Sequence, residues 1–187
     1  MLIKKYKLFM EAKEKSGSLY KFGCVMIQLN INNWDELTSS IDKEDIYLPE
    51  DPAHGIETDP HITLLFGLHK EVTLDQVKDI FNRHKVDIKV NIDGVGCFEN
   101  EEFDVVKLNV VPNYELNLLH EELSKLPNSD KFTEYKPHIT VAYVKKGCGK
   151  KYENPDYKYS VKEIGNIKYS RPADDGVNEK VYFKYEN

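Results

Sequence analysis

Apolar and polar positions change period along the chain, and the changes mark its elements. From Tyr20 to Ile31 the pattern alternates. Phe22, Cys24, Met26 and Gln28 fall on one face and Gly23, Val25, Ile27 and Leu29 on the other, which predicts a strand. After Asn32-Asn33 a short helix is predicted from Trp34 to Ile41. Thr73 with Gln76 three residues on reads as a capping box, and it opens a helix whose stripe is Leu74, Val77, Ile80 and Phe81. Strands are predicted near Val86–Phe98 and Phe103–Val111, joined by the acidic turn Glu99-Asn100-Glu101-Glu102. Pro112-Asn113 begins another helix, with Leu116, Leu119, Leu123 and Leu126 at helical spacing. Two closing strands are predicted near Tyr157–Tyr169 and Glu179–Tyr185, with Pro172 and Gly176 in the turn between them. Residues 1–17 read as a charged helix stopped by Ser16-Gly17.

One phrase occurs twice within this pattern. Pro60-His61-Ile62-Thr63-Leu64 and Pro137-His138-Ile139-Thr140-Val141 lie 77 residues apart, each at the head of a run that reads as a buried strand. Strict alternation puts His61, Thr63 and Leu65 on one face, and His138, Thr140 and Ala142 on the corresponding face of the second strand. A larger repeat contains the phrase: strand, helix, loop, His-Ile-Thr strand, over roughly 20–67 and again over roughly 103–144. The expected fold is therefore α+β. Two pseudo-symmetric lobes of mainly antiparallel sheet, with outer helices, would bring the His/Thr strands to a central cleft. The expected organisation is an N-terminal charged helix or tail over 1–18 and a single bilobal domain over 19–187.

Two imidazoles facing one cleft suit in-line displacement at phosphorus. One, neutral, takes a proton from the attacking hydroxyl or water; the other, protonated, gives one to the leaving oxygen. The Thr63 and Thr140 hydroxyls would donate to non-bridging phosphate oxygens. Either motif alone would more often be structural, and the duplication is what turns the balance. Two histidines also suggest zinc, but a third ligand at metal spacing is missing from the sequence, so neither metal nor cofactor is expected. A lobe pair that binds nucleotide without turnover is the remaining alternative. His54, His69, His84 and His120 fall outside the repeat and read as surface or loop residues.

Charge narrows the substrate. The formal net charge is −6, whereas long nucleic acid is held mainly by a surplus of Lys and Arg. Long double-stranded nucleic acid is therefore not an expected partner. The one basic run is Lys145, Lys146, Lys150 and Lys151, a candidate patch or a solvated loop. Cys24, Cys97 and Cys148 form neither metal spacing nor a disulfide framework, which points to a reducing cytoplasm. No apolar run approaches the roughly 20 residues of a membrane span.

The paired His-x-Thr strands resemble the two-histidine (2H) phosphoesterase superfamily, which includes 2′–5′ RNA ligase-like proteins and RNA cyclic phosphodiesterases. That resemblance implies acid–base roles for His61 and His138 and phosphate binding for Thr63 and Thr140. The flanks Gly55–His69 and Pro137–Gly147, with Gly149-Lys150-Lys151-Tyr152, are similar to a phage-encoded branch. It contains the anti-CBASS nucleases, which cleave cyclic di- and trinucleotide immune signals without metal, through a ribose 2′-hydroxyl. The implied partner is a cyclic or short oligonucleotide in the host cytoplasm. Tyr6–Ala12 resembles the short targeting peptides of tailed-phage head proteins, although an amphipathic helix accounts for it equally. Tyr20 and Phe98 are the candidates by position for contact with a base, a place in the core being the alternative for each, and Lys145 is a candidate for contact with the substrate. Processing of RNA ends, or RNA binding with weak end chemistry, is the competing function.

Overall fold

Eight strands form two four-stranded antiparallel sheets in a computed structural model that describes residues 22–49, 54–85, 87–130, 134–161, 163–173 and 178–185. The strands are β1 (Gly23–Leu29), β2 (His61–Leu68), β3 (Val90–Glu99), β4 (Phe103–Val110), β5 (His138–Lys145), β6 (Asn154–Val161), β7 (Ile164–Arg171) and β8 (Glu179–Phe183). The helices are α1 (Trp34–Ser39), α2 (Leu74–Arg83) and α3 (Tyr114–Leu123). One sheet runs β2-β1-β7-β8 and the other β5-β4-β3-β6. The helix expected over residues 1–17, and Tyr20, lie outside the described residues.

Local chemistry accounts for the helices. The Thr73 hydroxyl accepts from the Gln76 amide and the Gln76 side chain accepts from the Thr73 amide, a complete capping box at the head of α2. Asn113 caps α3 through its side-chain oxygen, which accepts from the Leu116 amide at 2.9 Å. Leu116, Leu119 and Leu123 are fully buried along α3, each worth roughly 1.5–3 kcal/mol relative to exposure. Most buried apolar residues of both sheets belong to one continuous core.

Each His-Ile-Thr strand ends its own sheet and pairs with the strand that opens its repeat, β2 with β1 and β5 with β4. The outer side of each is covered by the connection from the other repeat. Against β5, Ile46 and Ile56 bridge Val144 and Ala142, and the Tyr143 amide donates to the Gly55 carbonyl at 2.8 Å. Against β2, Leu68 bridges Asn128, and the Ser129 amide donates to the Gly67 carbonyl at 2.9 Å. Gly67 has φ +100°, and a Cβ there would stand 3.0 Å from the Asp130 amide nitrogen, so the approach requires glycine.

Two expectations are corrected. The single strand expected near Tyr157–Tyr169 is two strands, β6 and β7, which pair in different sheets. Strict alternation also fails, at matching places in both motif strands. One extra residue interrupts the register with the neighbouring strand, Leu64 in β2 and Val141 in β5, each three residues after its histidine. These β-bulges return Leu65 and Ala142 to the core and turn Phe66 and Tyr143 to the half-exposed side.

Candidate active site

His61 and Thr63 stand half-buried at the start of β2, and His138 and Thr140 at the start of β5, with Ile62, Leu64 and Leu65 in the first and Ile139, Val141 and Ala142 in the second buried. The histidines are oriented alike. His61 Nδ1 lies 2.6 Å from the Asp59 carbonyl, and His138 Nδ1 lies 2.9 Å from the Lys136 carbonyl, two residues upstream in each case. A carbonyl only accepts, so each Nδ1 carries the proton and each Nε2 is left for proton transfer. β2 and β5 are in contact, and the charge of His61 reaches His138.

The neighbouring strand sets an amide opposite each imidazole: Gln28 faces His61 and Asn109 faces His138. Opposite the threonines the lobes differ. Met26 faces Thr63, and Lys107 faces Thr140. One strand further in, Lys168 faces Met26 and donates to Asp59 at 2.9 Å, while Gln28 Nε2 donates to the other Asp59 oxygen at 2.8 Å. Burial pushes the Asp59 carboxyl up, but these hydrogen bonds and the charges of Lys168 and His61 outweigh it and hold it below the usual carboxylate range. Sequence reasoning missed Gln28, Asn109, Lys107 and Lys168. They are recognisable only through cross-strand register, which no spacing in the chain encodes.

Burial pushes His138 down to about 4, helped by the charges of Lys107 and His61 and opposed by its bond to the Lys136 carbonyl. The ring is therefore neutral at pH 7 and able to accept a proton. Phe98 packs edge-on against it, centroids 5.0 Å apart, which brings that candidate to the site. Lys145 is not in the cluster: it ends β5, seven residues and roughly 23 Å of extended strand from His138. The basic run beyond it is largely neutralised. Lys150 pairs with Glu99 at 3.0 Å and Lys151 with Asp42 and Asp45.

His120 is not a surface or loop residue. From α3 its Nδ1 donates to the Leu64 carbonyl at 2.7 Å, and its ring stacks on Tyr135 at 4.3 Å. The Tyr135 hydroxyl donates to the Thr63 carbonyl at 3.1 Å, so residues of the second repeat hold the β2 bulge. Among the described residues no group of three or more His, Cys, Asp or Glu is placed to hold a metal ion. Nor is any described helix long and apolar enough to cross a membrane.

The family profile described as the 2′-5′ RNA ligase superfamily matches residues 32–169. Among solved structures, Escherichia coli LigT complexed with 3′-AMP superposes with a TM-score of 0.57 at 18% identity, covering 87% of this chain and 96% of that one. LigT in its apo form gives 0.53 at 17% identity, over 88% and 96%. A protein described as a phosphoesterase gives 0.53 at 18% identity, over 86% and 95%. No curated protein sequence gives a significant match. At these identities the structures establish a shared fold.

Proposed function

Since the chain belongs to the 2′-5′ RNA ligase superfamily of two-histidine phosphoesterases, we propose that it cleaves 3′–5′ phosphodiester bonds of small ribonucleotides by metal-independent acid–base catalysis. The favoured substrate is a cyclic di- or trinucleotide of the kind destroyed by anti-CBASS nucleases. The carrying observation is the unequal surroundings of two equally oriented imidazoles. His138, kept neutral by burial and neighbouring charge, acts as base on the ribose 2′-hydroxyl. That oxygen attacks the adjacent phosphorus, and His61, beside the Asp59 carboxylate, protonates the departing 5′-oxygen. The products are a 2′,3′-cyclic phosphate end and a free 5′-hydroxyl. Thr63 and Thr140 hold the non-bridging oxygens, where charge grows in the transition state.

The fold is compatible with a small nucleotide, since LigT has been solved with 3′-AMP. The net charge of −6 and the paired state of Lys150 and Lys151 weigh against a long RNA. The test is a substrate panel in EDTA: a 3′,3′-cyclic dinucleotide, its analogue with 2′-deoxyribose at the scissile linkage, and an RNA ending in a 2′,3′-cyclic phosphate. The expected outcome is that only the ribonucleotide ring is opened rapidly, chelator notwithstanding. Cleavage of the deoxy analogue would exclude the internal nucleophile. Turnover confined to the RNA end would identify an end-processing enzyme, and activity lost in EDTA but restored by zinc would exclude the metal-free route.

A further inference from the structure

We infer that Lys107 is an additional phosphate-binding residue, contributed by the second lobe alone, which gives the substrate anion its one direct ammonium contact beside Thr140. The inference rests on reading His138 and Thr140 as the phosphate-handling pair. Lys107 lies directly across from Thr140 in the β4–β5 register and is only 9% exposed. Its ammonium sits 4.4 Å from the centre of the Phe98 ring, the same ring that packs against His138, and it donates to Asn109 Oδ1. Lys107, Phe98, Asn109, His138 and Thr140 thus form one continuous patch on sheet β5-β4-β3-β6.

The contrast with Lys168 carries the argument. Both lysines are 9% exposed, but Lys168 holds the Asp59 carboxylate at 2.9 Å. Lys107 has a neutral amide oxygen and an aromatic face, and no described carboxylate forms an ion pair with it. A buried ammonium without an anion is unfavourable. Burial accordingly pulls Lys107 below the ordinary lysine range, the neighbouring Cys97 and Glu153 offsetting only part of it. An entering phosphate oxygen removes that penalty, and Gly96, across from Lys107 on β3, leaves room for the Asn109 side chain that Lys107 holds. A Cβ on Gly96 would stand 3.0 Å from Asn109 Oδ1.

The test measures binding rather than turnover, using adenosine 3′-monophosphate as probe and isothermal titration calorimetry on full-length protein. Lys107→Met preserves the buried stem and removes the charge; Lys107→Arg restores a cation. A lost charge-assisted hydrogen bond corresponds to about tenfold or more in affinity. Lys107→Met should therefore weaken binding by about that factor, with thermal unfolding showing that it remains folded, and Lys107→Arg should recover most of the loss. Wild-type protein that does not bind the nucleotide, unchanged affinity in Lys107→Met, or equal loss in both variants would overturn the inference. Because no cleavage is read, protein that binds the probe but opens no cyclic dinucleotide would refute the proposed substrate and leave Lys107 standing.

Discussion

Asp59 and Lys136 occupy the same place, two residues before each histidine, and carry opposite charges. Both lend their carbonyls to fix an imidazole, but only Asp59 adds a carboxylate, and on the proposed reaction this difference separates the roles of two similar histidines. Loss of a general acid or base removes roughly 10²–10⁴-fold in rate. His61→Ala and His138→Ala should each fall in that range in single-turnover assays. Thr63→Ala and Thr140→Ala delete one hydrogen bond to a charged group, worth roughly 1.5–3 kcal/mol, and should retain measurable activity. The depressed His138 also predicts a pH effect on stability. Its folded value is about 4 against an ordinary 6.5, so between these the unfolded chain takes up a proton that the native state refuses. The contribution is fully present above pH 6.5 and is lost as pH falls toward 4. Urea unfolding at pH 7.5 and pH 5 should show a larger loss for wild type than for His138→Gln.

The paired bulges are what turn two ordinary strands into a site. Each frees a carbonyl just past its threonine, and each freed carbonyl is met from the other repeat, Leu64 by His120 at 2.7 Å and Val141 by the Glu57 amide at 2.9 Å. His120→Ala leaves a carbonyl unpaired beside the core, at a cost of about 1–3 kcal/mol, whereas Tyr135→Phe removes one neutral hydrogen bond worth about 0.5–1.5 kcal/mol. Chemical denaturation should rank the variants in that order. The helices were legible in sequence because their signals are local: Thr73 with Gln76, and the leucines of α3, act within a few residues. The bulges were not. Leu65 and Ala142 are apolar enough for either face, so period-two counting passed over Leu64 and Val141 without a conflict. The break between β6 and β7 left a fainter mark: Tyr157, Tyr159 and Val161 keep one phase, Glu163 and Ile164 shift it, and no Pro lies between Tyr157 and Tyr169 to announce the break.

Across the whole molecule the duplicated His-Ile-Thr phrase carried more information than any composition or charge argument. It placed both candidate pairs and the two-lobed sheet architecture, because internal repetition survives where single residues are ambiguous. What it could not convey is how the repeats are joined, for hydrogen bonds such as Tyr143 to Gly55 and Ser129 to Gly67 link residues distant in the chain. Those joints have a consequence for discrimination. With main-chain bonds riveting the halves along both motif strands, the gap between the proposed proton donor and proton acceptor is a calliper with locked jaws. On the proposed reaction, a ligand would therefore have to present an ester linkage already near the right angle and span. For the proposed cyclic substrate, selection would then fall on the conformation of the sugar–phosphate ring rather than on the identity of the bases it carries.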